Sequence, residues 1–175
     1  MGIKSLFTRG RNTRSEQAGS NEENAADGSS TVSQEPGKVA EEFLRAFADG
    51  DVDAALGRLA QDARVEIPPA GVLGTAEKQG REFIAATVAA FPDLRLTVRK
   101  SFTGADGTVI AELTLEGTQT ASYLGVINQE KHLDLDQVWV FTIADGRITT
   151  IKAFWCQNQL YRRLAVKRLD QLSIV

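Results

Sequence analysis

The feature that most constrains this chain is a pair of apolar runs joined by Asp145-Gly146. An Asp-Gly turn between alternating segments is a strong short-range signal for a β-hairpin. It predicts one strand from about Leu133 to Ile143 and a return strand from Arg147 to about Cys156. Centring the turn on Asp145-Gly146 sets Trp139 opposite Lys152, Gln137 opposite Phe154, Leu135 opposite Cys156 and Phe141 opposite Thr150. Side chains alternate with period two, so these residues share one face. Val138, Val140, Ile151, Ala153 and Trp155 then share the other, with Asp136 at its edge. Both faces are apolar at the centre, and each therefore needs a cover.

Cover for one face is legible upstream. Val39, Phe43, Leu44 and Phe47 mark one side of a helix that Gly50 can end, and Asp51 can cap a second helix carrying Val52, Leu56 and Leu59. Arg64–Ile67 reads as a short strand stopped by Pro68-Pro69. A third helix follows Thr75, with Ile84, Val88 and Phe91 in phase, and ends at Pro92. The period then becomes two. Leu94, Leu96 and Val98 alternate with charged or polar residues, a turn at Gly104–Gly107 leads into a strand from Val109 to Gly117, and a loop lies near Gly125–Glu130. Leu160, Tyr161 and Leu164 mark a last helix. Helices followed by long strands give an α+β fold, with helices packed on one face of a curved antiparallel sheet.

The second face of the hairpin is expected to form a homodimer interface through Val138, Val140, Ile151, Ala153 and Trp155. A cover supplied by the tail or by residues 166–175 is the alternative. The face toward the helices mixes aromatic and polar groups. Gln137, Trp139, Phe141, Lys152, Phe154 and Cys156, with Phe43 and Phe47 from the first helix, are the candidate lining of a small-molecule pocket. They also read as ordinary core, with Lys152 reaching the rim or resting on the Trp139 ring.

Composition narrows the function. Twenty Lys+Arg against 23 Asp+Glu leave a net charge of −3, which gives no electrostatic reason to expect nucleic-acid binding. A single Cys and a single His provide neither a disulfide nor a multi-ligand metal site. No apolar run approaches the roughly 20 residues that span a bilayer, and the start lacks a secretory signal, so a cytoplasmic protein is expected. Residues 1–36 are rich in Ser, Asn, Gln, Glu and Gly and are expected to be a disordered tail before a domain spanning 37–175. The tip of that tail, residues 1–12, sets Ile3, Leu6 and Phe7 beside Lys4, Arg9 and Arg11. This pattern suits a docking peptide for a partner enzyme, a protein shell or a membrane.

Few residues suit acid–base or nucleophilic chemistry. Cys156 and His132 lie roughly 10 Å apart at about 3.4 Å per strand residue, too far for a nucleophile–base pair. Cys156 reads as a small core residue and His132 as exposed at a strand start. Asp134 and Asp136 fall on the back face. Glu66, between Val65 and Ile67, is the candidate general base if it turns inward and is desolvated. Gln119 and Tyr123 are candidates to polarise a carbonyl or enol. Arg99 and Glu112 read as a cross-strand surface pair.

Several segments in this order resemble one family. They are Phe43-Leu-Arg-Ala-Phe-Ala-Asp-Gly-Asp51, Ala90-Phe-Pro-Asp-Leu94, Leu115-Glu-Gly-Thr-Gln-Thr120, Phe141 to Ile148, and Phe154-Trp-Cys-Gln-Asn-Gln-Leu-Tyr-Arg-Arg-Leu164. Over residues 38 to 165 the chain resembles the SnoaL-like polyketide cyclases of the nuclear transport factor 2-like superfamily. The resemblance implies a cone-shaped, mixed sheet wrapped around N-terminal helices, an internal cavity, and commonly a dimer through the back of the sheet. It also implies cofactor-independent ring closure by aldol condensation, with an Asp as acid/base. This chain carries Trp139 where that Asp is placed, Gln119 where the family often has His, and Cys156 where relatives have Asp. Two functions follow: a cyclase or isomerase acting on a polyketide-like molecule, or a non-catalytic protein that binds a small hydrophobic molecule in the same cavity.

Overall fold

A computed structural model describes residues 35–166 of the chain. The expected tail with its tip at residues 1–12, apart from its last two positions, and the segment 167–175 lie outside the described residues.

Pro36 opens helix α1 (Pro36–Ala48), where its missing N–H costs nothing in the first turn. Val39, Ala40, Phe43, Leu44 and Phe47 recur at helical spacing and are all buried. Gly50 ends the helix at φ 75°, a conformation that glycine adopts without a Cβ clash. Asp51 then caps α2 (Val52–Leu56) by accepting the Ala54 N–H at 2.9 Å. Strand β1 (Leu59–Ile67) is followed by a short strand β2 (Val72–Thr75), a π-turn at Ala76–Gly80 and helix α3 (Arg81–Ala90). Strands β3 (Arg95–Thr103), β4 (Thr108–Thr118), β5 (His132–Ala144) and β6 (Arg147–Trp155) complete the sheet, and α4 (Gln157–Arg163) follows.

The six strands form one mixed sheet in the order β2-β1-β6-β5-β4-β3, with β1 and β6 parallel and the other neighbours antiparallel. This is the expected α+β architecture. Strand β2 and the early start of β1 at Leu59 are additions to the sequence-based expectation. Gly74 and Gly71 lie in or beside β2 and weaken any strand pattern there.

The hairpin of β5 and β6 differs from the expected register in one respect with large consequences. Ile143 pairs with Ile148, but Thr142 pairs with Thr150, so Thr149 is left over as a bulge. Its hydroxyl folds back to donate to the Thr142 carbonyl at 3.1 Å. The physical reason is the spacing of two isoleucines. Ile148 and Ile151 are three residues apart, and a regular strand would send them to opposite faces. The bulge turns both inward, at 0% and 3% exposure.

Beyond the bulge every side chain of β6 is therefore opposite to expectation. Ala153 faces Trp139, Ile151 faces Phe141 and Trp155 faces Gln137, all on the helix side. Lys152 and Phe154 lie on the outer face with Val140 and Val138. The predicted lining residues Lys152 and Phe154 are thus outside, and no Lys152–Trp139 contact forms. Ile151, Ala153 and Trp155 belong to the interior and not to an outer interface. Cys156 is exposed at the start of α4 and is not core.

Candidate functional site

The interior above the sheet is built of rings. Phe43 lies 6.1 Å from Trp139 and 5.5 Å from Phe141, Phe47 lies 5.8 Å from Trp139 and 6.5 Å from Phe83, and Trp139 stacks on Phe141 at 5.9 Å. All but Phe83 are at most 1% exposed. Burial of each ring is worth on the order of 2–3 kcal/mol, so this cluster is first part of the hydrophobic core. The structure brings together five predicted lining residues, Phe43, Phe47, Gln137, Trp139 and Phe141. The four rings among these five contact one another, and none of the five borders the two openings described next.

One opening is a groove of about 820 Å³ between α1 and the inner side of β3, floored by Leu44, Leu96, Val98 and Ala111. The other is a mouth of about 360 Å³ formed by β2, α3 and the loop after β4. Its walls are Val72, Leu73 and Leu124, its floor is Phe83 and Tyr123, and Gln79, Glu82 and Ser122 edge it. Phe83 stacks on Trp155 at 6.2 Å, and Trp155 sits directly across from Gln137. Phe83, Leu73 and Leu124 were not singled out from sequence. Phe83 precedes Thr87 by one helical turn, a signal that could have found Phe83, whereas Leu73 in a four-residue strand and Leu124 in a loop carry none.

Leu124 holds a conformation that leucine avoids. Tyr123 and Val126 exchange backbone hydrogen bonds at 2.9 Å each, closing a two-residue turn of Leu124 and Gly125. Leu124 sits at φ 46° and Gly125 at φ 79°. Such turns favour Asn-Gly or Gly-Gly, and a leucine there costs about 1–2 kcal/mol. The cost is offset by its side chain, which packs on both core clusters and walls the mouth.

Four polar side chains are buried among the described residues: Thr87, Gln119, Tyr123 and Gln137. Thr87 donates its hydroxyl to the Phe83 carbonyl at 2.8 Å. Its one proton is thereby used, so the Tyr123 hydroxyl, 3.2 Å away, is the donor to Thr87. Burial pushes the Tyr123 pKa up to about 12. Tyr123 is thus a neutral phenol whose proton is already committed. Gln119 is committed as well: its Nε2 donates to the Val126 carbonyl at 3.3 Å and its Oε1 accepts the Gln129 N–H at 3.1 Å. Gln119 thereby ties the two ends of the loop after β4. Gln137 differs. Its Oε1 accepts the Trp139 indole N–H at 2.7 Å, while its Nε2 is buried with no partner.

Glu66 does not face the interior. It lies opposite Lys152 on the outer side of β1 and β6, 2.7 Å from Lys152 Nζ and 42% exposed. Val65 and Ile67 take the inward positions, so the desolvation that would make Glu66 a base is absent. Asp136 pairs with Arg99 at 3.0 Å and Asp134 with Arg163 at 3.5 Å, both on the outer side. Arg99 thus pairs with Asp136 and not with Glu112. His132 is exposed at the start of β5. Among the described residues no histidine is buried and no carboxylate side chain is fully buried; Glu42, 13% exposed, has its Oε2 out of solvent 3.0 Å from Arg58 and outside the lining of the mouth, and no group of three or more His, Cys, Asp or Glu could hold a metal.

The SnoaL-like domain model matches residues 40–151, more than half of the chain. The chain belongs to the SnoaL-like family. Solved structures agree on the fold. A proposed polyketide cyclase from Pseudomonas putida KT2440 has a TM-score of 0.67 at 21% identity, covering 74% of this chain and 97% of its own. IdmH, a proposed polyketide cyclase from Streptomyces antibioticus, has a TM-score of 0.65 at 22% identity, covering 75% and 99%. A protein from Catenulispora acidiphila described as having a ketosteroid isomerase-like fold has a TM-score of 0.63 at 14% identity, covering 73% and 92%. Among curated proteins, none matches the sequence. The SnoaL-like sheet and helices are therefore those expected of the nuclear transport factor 2-like superfamily, and no helix among the described residues is long and apolar enough to cross a membrane.

Proposed function

We propose that this SnoaL-like protein binds a small, largely apolar molecule at the mouth floored by Phe83 and Tyr123, and holds it without proton transfer. The observation that carries this reading is the neutrality of the buried polar groups. Acid–base catalysis needs a titratable group near the operating pH within reach of the reacting proton. Thr87, Gln119 and Gln137 do not titrate, Tyr123 titrates only near 12, and Glu82, the one carboxylate in the lining of the mouth, stands exposed at its edge and not over its floor. A volume of about 360 Å³ is at the small end for ligand pockets, which fits a compact guest. The test is titration of the full chain with 2-acetylnaphthalene, reading quenching of Trp155 and Trp139. Saturable quenching, reduced at least fivefold in affinity by Phe83→Ala, is expected. A probe that binds Phe83→Ala as well as the original chain refutes the reading.

A second reading, a cofactor-independent cyclase or isomerase, is favoured by family membership and by one contact. The unpartnered Gln137 Nε2 is a donor suited to the oxygen of a carbonyl or enolate. On that reading Gln137→Leu abolishes turnover of a polyketide-like ketone while leaving its binding measurable.

Two associations complete the proposal. Phe102, Ile110, Val140 and Lys152 form a row across the outer face, with Val138 and Phe154 in the next. Phe102, Phe154, Ile110 and Val138 are 56%, 41%, 39% and 37% exposed. This apolar face is proposed to join two copies of the chain. Residues 1–12 are proposed to dock the protein to a partner enzyme, a protein shell or a membrane. Deleting them is expected to leave the melting temperature unchanged and to abolish that association.

A further inference from the structure

The mouth is walled by leucines and valine, yet one of its edges is charged. Of the side chains that line it, Glu82 is the one carboxylate, and no lysine, arginine or histidine is among them. The neighbouring cation does not neutralise it. Arg81 is turned to other acids, with Nη1 2.7 Å from Asp53 and Nη2 3.2 Å from Glu77. Among the described residues no ion pair engages Glu82. The remaining edge groups are neutral: Ser122, and Gln79, whose carbonyl oxygen is occupied by the Thr75 N–H at 2.9 Å and the Thr75 hydroxyl at 3.3 Å. The Gln79 carboxamide thus adds no balancing charge.

A guest seated on Phe83 between Leu73 and Leu124 meets apolar surface on its faces and a lone carboxylate at its edge. Glu82 is exposed, so an anionic guest would bring like charges together at an edge open to solvent, where repulsion is modest and screened by salt. A ketone, ester or phenol of the same skeleton would not. We propose that Glu82 makes the mouth selective for uncharged apolar compounds over carboxylates of the same skeleton. This rests on the mouth being the ligand site and adds the charge class of the ligand. Among polyketide-like molecules it favours the ketone or ester form over the free acid by a modest factor.

The test compares 2-acetylnaphthalene with 2-naphthoate on the full chain, on Glu82→Gln, and on Glu77→Gln as a control carboxylate held by Arg81. Removal of Glu82 is expected to raise naphthoate affinity about threefold at low salt and to leave the ketone unchanged. The gain should fade at about 0.5 M salt, where the screening length is only a few ångströms. Glu77→Gln should change neither ligand. Unchanged naphthoate affinity in Glu82→Gln, an equal shift for both ligands, or the same gain in Glu77→Gln would each overturn the assignment. Failure of both ligands to bind the original chain would instead remove the mouth as a ligand site, and this inference with it.

Discussion

Trp139 donates its indole N–H to Gln137 Oε1 at 2.7 Å, two residues along the same strand and on the same buried face. The bond satisfies the tryptophan but strands the glutamine nitrogen. Removing one partner should therefore cost far more than removing both. Trp139→Phe leaves the whole Gln137 carboxamide without its protein partner and opens space beside Phe47. A loss of about 2–4 kcal/mol is expected. Gln137→Leu in that background deletes the buried polar group and should restore at least 1 kcal/mol. Urea unfolding of the two single variants and the double variant gives the coupling directly. Additive losses would show that the hydrogen bond contributes nothing.

The sequence made the helices legible because their signals are local. Phe43 and Phe47 repeat at helical spacing, and Pro36, Gly50 and Asp51 mark ends. The strands of the second half were legible for the same reason, through the Asp145-Gly146 turn. What alternation cannot show is an inserted residue. Thr149 is one threonine beside another, with no mark of its own, and it alone sent Lys152 and Phe154 outside and Trp155 inside. The candidate site suffered accordingly. Positions on β5, before the turn, were placed on the correct face, while those on β6, beyond the bulge, were reversed. Glu66 failed for a different reason: a short strand bounded by proline offers no phase until its partner is known, and that partner is Lys152.

Deleting Thr149 is the direct check of this register. It would restore an uninterrupted pairing and turn Ile151, Ala153 and Trp155 toward solvent. Such a flip exposes two buried side chains and the half-buried Trp155, so a loss exceeding about 4 kcal/mol, or failure to fold, is expected. Thr149→Val keeps the residue count and should cost less than about 1 kcal/mol, since only one hydroxyl contact is removed. Circular dichroism melts of the two variants distinguish a requirement for the extra residue from a requirement for its side chain.

Leu124 separates stability from binding. Leu124→Asn places a residue that tolerates the left-handed conformation in a turn built for it. Relief of backbone strain and loss of side-chain packing oppose one another, so stability should change by no more than about 1 kcal/mol. The mouth loses a wall, and affinity for 2-acetylnaphthalene should fall several-fold. A large fall in melting temperature would mean that Leu124 serves the core alone.

Asp93 sets a pH limit on the fold. The Thr118 backbone N–H donates to its Oδ1 at 2.6 Å, and this bond holds the Asp93 carboxyl below its ordinary value of 3.8. A carboxylate with a depressed native pKa adds stability that is complete above the unfolded value. That stability is lost as pH falls through the native value. Asp93→Asn should therefore be less stable than the original chain at pH 7, by about 1 kcal/mol or less because the group is exposed. The difference should shrink steadily below pH 4. Thermal melts between pH 3 and 7 read this, and a gap independent of pH would assign the effect to packing.

The outer face and the inner face of β6 offer a paired test of assembly. Phe154 is 41% exposed beside Val138, whereas Trp155, one residue on, stacks on Phe83 within the fold. If two copies meet through the outer face, Phe154→Glu places a charge at the centre of their contact, and Phe102→Glu places another on the same surface. Each should give monomers in sedimentation with the monomer fold intact by circular dichroism. Trp155→Glu should behave differently, since a carboxylate against Phe83 is buried without a partner. It should lower the melting temperature by several degrees, consistent with a cost of about 2–4 kcal/mol. An unchanged sedimentation coefficient in Phe154→Glu, with the original chain already monomeric, would leave the apolar row as plain surface and exclude this face as the meeting point of two copies.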